Sequence, residues 1–193
     1  MTFWFDPGCP WTWATSRWAV EAAEQRDLRL RWRLLSLAVL NADREMEPWL
    51  RERVEFGARV LRVFAAVRDN DARGRLFAAY AERIHERKEP FEAATVRATL
   101  VDAGLEPGLV AAMDDATWDP VVRFDHDAAQ EAAGGESGSP VMEYRGVGWF
   151  GPVLSPAPRG EEAGLVWDDL TRFITRDEVF EVKRGRTRGP RVA

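Results

Sequence analysis

An α/β fold interrupted by a large all-helical insertion is predicted for this 193-residue chain, and three observations predict it. The chain opens as strand, helix, strand: an aromatic run at Thr2–Phe5, helical spacing after Pro10, and strict apolar alternation from Leu28 to Leu34. From about Arg44 roughly eighty residues then carry helical periodicity, with no Gly/Ser/Pro linker on either side. Strand signals return only near Val141, as a hairpin followed by a last amphipathic helix. Residues 1–41 and 119–183 are assigned to the core, 42–118 to the insertion and 184–193 to a basic tail.

Each element has its own signal. The first helix runs from Pro10 to about Gln25, with Ala14, Trp18 and Ala22 on one face. In the second strand Leu28, Leu30, Trp32 and Leu34 alternate with Arg29, Arg31 and Arg33. The arginines read as the wet face of an edge strand, where charge discourages edge pairing; an anion-binding surface is the alternative. Ser36–Asn41 reads as a loop, with Asn41 capping the first helix of the insertion. In the insertion, Leu50, Val54, Gly57, Leu61 and Phe64 line one helix, and Leu76, Phe77, Tyr80 and Ile84 a second, capped by Asn70 or Asp71. A third helix carries Val96, Leu100 and Val101 and stops at Gly104; a short fourth starts near Pro107. Asp119-Pro120 is a cap followed by proline, opening a helix that fades at Gly134-Gly135. Val141–Tyr144 and Val147–Phe150, joined by Arg145-Gly146, form an antiparallel hairpin ended by Gly151-Pro152. The last helix comes after Arg159-Gly160 and buries Leu165, Trp167, Leu170, Phe173 and Ile174. The tail from Lys183 through Arg191 reads as partly disordered or laid over the surface.

The single cysteine, Cys9, stands where the first turn becomes the first helix. Pro10 suits the first helical position, where the missing N–H is no loss. Cys9 is then the cap, with the amides of Trp11 and Thr12 aimed at its sulfur. A helix N-terminus stabilises the thiolate, so a depressed thiol pKa and a reactive sulfur are expected. A small buried packing cysteine is the alternative.

Composition narrows the classes. A net charge of −5 opposes general nucleic-acid binding. One cysteine excludes an internal disulfide, and one cysteine with two scattered histidines lacks metal-ligand spacing. No apolar run reaches membrane-spanning length, and a first strand starting almost at Met1 leaves no space for a signal peptide, so a cytoplasmic protein is expected. A reducing compartment favours using a thiol to reduce or transfer. There is neither a glycine-rich nucleotide loop nor a Ser-His-Asp arrangement.

The run Phe3-Trp4-Phe5-Asp6-Pro7-Gly8-Cys9-Pro10-Trp11-Thr12-Trp13 resembles the Phe-Asp-Pro-x-Cys-Pro-Trp-Cys-Trp signature of DsbA-like thioredoxin-fold proteins, and within them the mycothiol-dependent nitroreductases. Further matches are Ser16-Arg17-Trp18, Ser36 through Asn41, Arg83-Ile84-His85, Phe150 through Ser155 and Arg159 through Gly164. The resemblance implies a DsbA-type thioredoxin-like fold around the helical insertion. It implies a cis bond before Pro140, which turns the backbone of Ser139 toward the active cysteine. It implies a catalytic group of Cys9, Pro10, Trp11 and Thr12, and a thiol- or substrate-binding group of Trp13, Asn41, His85, Ser139 and Pro140. The family's second cysteine is replaced here by Thr12.

With one sulfur the workable cycle is monothiol exchange. Cys9 attacks a disulfide or other electrophile, and a low-molecular-weight thiol then releases it; the resemblance implies mycothiol and nitro-aromatic or mixed-disulfide substrates. Thr12 can donate a hydroxyl proton to the thiolate, or be simply a tolerated helix residue. Trp11 and Trp13 can wall the site, although core packing suits one of them better. His85 can stabilise the thiolate or sit on a helix surface, and His126 reads as solvent-facing. No metal, nucleic-acid or membrane partner is expected, and a homodimer is compatible with the chain. Two other functions remain open. One is a glutathione-transferase or isomerase-like enzyme in which Thr12 or Ser16 activates a thiol cofactor. The other is a redox-silent binding module.

Overall fold

The computed structural model describes residues 1–191. Its centre is a four-stranded sheet of β1 (Thr2–Phe5), β2 (Arg31–Leu34), β3 (Val141–Tyr144) and β4 (Val147–Phe150), in the order β2-β1-β3-β4. β1 runs parallel to β2, with Thr2 opposite Arg31 and Phe5 opposite Leu34. β3 is antiparallel to both β1 and β4. Strand β2 is therefore an edge, as its arginines suggest. It is also shorter than the alternation: the ladder begins where β1 begins, and Leu28 is used earlier, its N–H closing α1 (Pro10–Gln25) on the carbonyl of Ala23 at 2.8 Å. Asp27, at φ +48°, makes the left-handed residue of that closure.

Alternation splits the core between the two sheet faces. Phe3 and Phe5 point to one side and join Trp13, Trp18, Trp32 and Leu34 in the main core, which continues into the insertion. There α3 (Pro48–Ala66) adds Leu61 and Phe64, α4 (Asn70–Ala81) adds Leu76 and Phe77, and α5 (Ala93–Asp102) adds Leu100. Phe5 stacks on Phe77 at 4.3 Å and meets Phe64 edge-on at 5.3 Å, so an insertion helix is sealed to the central strand by aromatic contact. Truncating a ring as buried as Phe5 costs about 3–5 kcal/mol. Trp4 and Val141 point to the opposite face and pack on Ala129 of α6 (Asp119–Ala132). The last helix, α7 (Gly160–Ile174), lies along α1, where Trp18 donates to the carbonyl of Ala163 at 3.0 Å.

Several local expectations are corrected by this packing. Ser36–Asn41 is not a loop: Leu37–Leu40 forms a helical turn, α2, because the Ser36 hydroxyl accepts from the amide of Val39. Asn41 ends that turn, donating to the carbonyl of Leu37 at 2.7 Å, and does not cap the first long helix of the insertion. Asp69, rather than Asn70 or Asp71, caps α4, accepting from Ala72 at 2.7 Å. Asn70 is used across the chain instead, holding both the N–H of Trp32 and the carbonyl of Leu30. A 3-10 turn at Ala116–Trp118 runs straight into α6, so Asp119 is its first residue rather than its cap. On α7, Leu165 and Phe173 are exposed while Ala163, Gly164 and Trp167 are buried, because the face turned to α1 sets Ala163 and Trp167 against Trp18 and Gly164 against Arg26. The hairpin turn is the expected one, with Arg145 and Gly146 both at positive φ.

Candidate active site around Cys9

The site is built where β1 ends. Asp6 leaves the strand with its side chain turned back into the protein. One carboxylate oxygen accepts from the amide of Gly8 at 2.8 Å and the other from Leu37 at 2.7 Å. That pair of bonds shapes the Asp6-Pro7-Gly8 turn and ties it to α2. The N–H of Cys9 closes the turn on the carbonyl of Asp6 at 3.1 Å, and the carbonyl of Cys9 receives the N–H of Trp13, which starts α1. Cys9 thus occupies the cap position, in an extended conformation, ahead of Pro10.

From the opposite side comes the loop before β3. The Ser139-Pro140 bond is cis, as the resemblance implies. Ser139 is fixed twice through its hydroxyl, which accepts from the N–H of Asp6 at 2.9 Å and lies 2.7 Å from the hydroxyl of Thr12. Its carbonyl stands 3.8 Å from the Cys9 sulfur, which donates to it. Cys9, Thr12, Ser139 and Pro140 therefore meet at one place, with Asp6 beneath them. Thr12 is fully buried, and its hydroxyl is a structural link to Ser139 as well as a neighbour of the sulfur.

The electrostatics overturn one expectation. The Cys9 thiol lies above its ordinary value, not below it. Burial is the largest cause, and repulsion from Asp6 adds to it. The Thr12 hydroxyl and the amides of Thr12 and Trp11 pull the other way and lose. No capping hydrogen bond of ordinary length joins the sulfur to the first turn. The helix end is present; the surrounding protein outweighs it. Asp6 itself is raised to about 6, because burial disfavours its charge more than its two amide donors favour it. Cys9 nevertheless keeps accessible surface.

The other predicted residues fall around this centre in different ways. Trp13 turns inward, 3% exposed, edge-on to Phe77, and donates its indole N–H to Glu86 at 2.9 Å. Trp11 stays part-exposed and carries the guanidinium of Arg186 4.7 Å above its ring. His85 is buried in a π-helical turn, Glu82–Glu86, directly after α4, so it is not a surface histidine. Its Nε2 lies 2.9 Å from the carbonyl of Pro7, which can only accept, so that nitrogen carries the proton. Burial, aided by the cations of Lys88 and Arg53, pushes its pKa down to about 4. His85 is then a neutral strut from the insertion to the active-site turn. Asn41 holds the end of α2, the turn that supplies the Leu37 amide to Asp6. His126, expected to face solvent, is buried, and its Nδ1 accepts from the N–H of Ser36 at 3.3 Å. The cause is α6, which packs directly on the sheet.

Sequence reasoning missed Asp6 and Arg186. An aspartate followed by Pro-Gly is a turn signal that was there to be used. Nothing local announces Arg186, which reaches the site because the tail folds back: Arg188 donates to the carbonyl of Ser155 at 2.7 Å, and the N–H of Arg191 to its hydroxyl at 2.6 Å. The tail is thus laid over the surface up to Arg191; residues 192 and 193 lie outside the described residues. Among the described residues no group of three or more His, Cys, Asp or Glu side chains converges to hold a metal, and no helix is long and apolar enough to cross a membrane.

This arrangement can be set beside known proteins. A family model described as Rv2466c-like, mycothiol-dependent nitroreductase Rv2466c, matches residues 8–184. The uncharacterized protein Rv2286c of Mycobacterium tuberculosis is 31% identical over 189 residues, covering 95% of this chain and 81% of that protein. Among solved structures, a putative protein disulfide isomerase from Nitrosomonas europaea superposes with a TM-score of 0.56 at 14% identity, covering 89% of this chain and 97% of that one. The disulfide oxidoreductase DsbA from Proteus mirabilis gives 0.54 at 16% identity, covering 91% and 87%. The same enzyme with a non-covalently bound peptide gives 0.54 at 16% identity, covering 91% and 88%. The thioredoxin-like fold of DsbA type, with its helical insertion, is thereby shared with proteins of low sequence identity.

Proposed function

The chain belongs to the Rv2466c-like family, and we propose that it is a thiol-disulfide oxidoreductase working through Cys9 alone, in a reducing cytoplasm, with a low-molecular-weight thiol. The observation that carries this reading is the seating of the sulfur of part-exposed Cys9 3.8 Å from the carbonyl of Ser139, in a loop held by Asp6 and Thr12. Backbone polar groups beside a sulfur are what an extended or thiol-bearing substrate pairs with. The residues fit such a thiol: Cys9 is part-exposed, and two positions on, the part-exposed Trp11 ring carries the Arg186 cation above it.

Cys9 first loses its proton, helped by the Thr12 hydroxyl and the first-turn amides and hindered by burial and Asp6. The thiolate attacks one sulfur of a disulfide; a Cys9–S bond forms, the substrate S–S bond breaks, and the other half leaves as a thiolate. The small thiol, by family mycothiol, supplies the second sulfur that frees Cys9, and each turnover leaves one new disulfide. With a nitro-aromatic substrate, also implied by the family, Cys9 and one small thiol are oxidised together to a mixed disulfide, their two electrons and two protons reducing the nitro group to nitroso and water, and a second small thiol then frees Cys9. Thr12 cannot resolve the linked state, so release depends on the free thiol and not on the chain.

Intact-mass spectrometry after exposure to mycothiol disulfide tests the reading. One mycothiol adduct is expected on the parent protein and none on Cys9→Ser; absence of an adduct on the parent overturns it. The upward direction of the Cys9 thiol favours a second reading, a redox-silent binding module on this fold. That reading requires the same experiment to give no adduct.

A further inference from the structure

The Cys9 site sits beyond the C-terminal end of β1. At the other end of the same strand pair lies a cavity of about 850 Å³ that the thiol chemistry does not use. Six arginines line it: Arg29, Arg31 and Arg33 from the β2 segment, Arg68 from the link before α4, Arg73 from the first turn of α4, and Arg145 from the hairpin turn. Two acids stand against them, Asp125 and Glu143. Asp125 is already spent. One oxygen takes both Nε and an Nη of Arg33, at 2.9 and 2.5 Å, and the other takes the N–H of Leu34 at 3.0 Å.

The remaining cations have no anion. Among the described residues Arg29, Arg31, Arg68, Arg73 and Arg145 make no ion pair. Arg73 is the most telling, because it is part-buried and pinned by backbone alone. Its guanidinium donates to the carbonyl of Val67 at 2.8 and 3.2 Å and to that of Trp32 at 3.0 Å. Burial lowers its pKa, Asp125 offsets part of this, and the neighbouring Arg33 cation adds to it. A cation fixed in a wall without a carboxylate is costly unless an anion visits. This excess of positive charge is gathered on a chain whose net charge is −5.

We infer that this cavity is a binding site for a small molecule carrying two or more phosphate groups, separate from the thiol site. Guanidinium forks match phosphate oxygens bidentately, and four or more on facing elements suit several phosphates rather than one carboxylate. The cavity has the size of a small-molecule site, and the chain's overall negative charge opposes a long nucleic acid.

Calorimetric titration of the full chain with tripolyphosphate at low salt tests the assignment, with inorganic phosphate and a single-stranded oligonucleotide in parallel. Saturable one-to-one binding of tripolyphosphate is expected, at least about 10-fold tighter than inorganic phosphate. The double variant Arg31→Ala/Arg68→Ala, in which both side chains are exposed and bond nothing, is expected to weaken binding about 10-fold or more while keeping the parent unfolding temperature. Alkylating Cys9 is expected to leave binding unchanged. No saturable binding, or equal binding by the variant, overturns the proposal; tighter binding of the oligonucleotide overturns the small-molecule assignment.

Discussion

Two regions of the β1–β2 pair, the turn after β1 and the arginine-bearing face of β2, are opposite in charge logic. Beyond the end of β1, a buried carboxylate is held by backbone amides with no cation bonded to it among the described residues; along β2, guanidinium groups gather around one spent carboxylate. Asp6 and Asp125 are both buried aspartates close to the central strands, yet their partners differ in kind. Amide donors cancel part of the cost of burial, so Asp6 titrates near neutrality; Arg33 supplies a full opposite charge to Asp125. The lesson is that on one short strand pair, two buried acids are held by different kinds of partner: backbone amides alone for Asp6, a guanidinium together with an amide for Asp125.

The comparison breaks most visibly at Arg33. Arg33→Ala strands Asp125 in the interior and is expected to cost about 3–5 kcal/mol in urea unfolding, whereas Arg31→Ala on the same strand is expected to fall within about 0.5 kcal/mol of the parent. Equal effects would mean that the pair is not desolvated as the geometry indicates.

In the turn after β1 the expected signature is in pH. Asp6 binds its proton more tightly folded than unfolded, at about 6 against an ordinary 3.8. Its contribution to stability is therefore present at acid pH and lost as pH rises from about 4 to about 6, a swing on the order of 3 kcal/mol. His85 works in reverse, at about 4 against 6.5: its contribution is present above 6.5 and lost as pH falls toward 4. The two slopes oppose each other over the same window. Relative to the parent, Asp6→Asn is expected to be at its greatest disadvantage near pH 4 and to recover by on the order of 3 kcal/mol toward pH 6; a pH-independent difference would refute the assignment. The same variant is expected to lower the pH midpoint of Cys9 alkylation, since it removes a repelling carboxylate.

Two smaller changes sharpen the picture of the thiol site. Thr12→Cys places a second sulfur where the family carries one and is expected to abolish the stable mycothiol adduct, replaced by an internal disulfide two mass units lighter than the dithiol, at a cost of about 1 kcal/mol from the lost Ser139 hydrogen bond. Removing residues 184–193 takes away Arg186 above Trp11, an interaction worth about 0.5–1 kcal/mol. A stability loss of about 0.5–1 kcal/mol with Cys9 alkylation faster by a few-fold is the expected result; unchanged alkylation would show that the tail does not border the sulfur.

The sequence by itself determined what neighbouring residues settle between them. A cap position before Pro10, a hairpin turn at Arg145-Gly146, the edge character of the arginine strand and the helical run of the insertion all come from signals within a few residues, and each is present. The family-like motifs brought Cys9, Thr12, Ser139 and Pro140 into one group, and the fold brings them to one place. Only the tertiary structure decided the ionisation of that place. Burial of Cys9, the carboxylate beneath it, the strut from His85 to Pro7 and the pairing of Arg33 with Asp125 join residues far apart in the chain. Desolvation and charge proximity are properties of what surrounds an atom, and a local reading of a helix end cannot contain them.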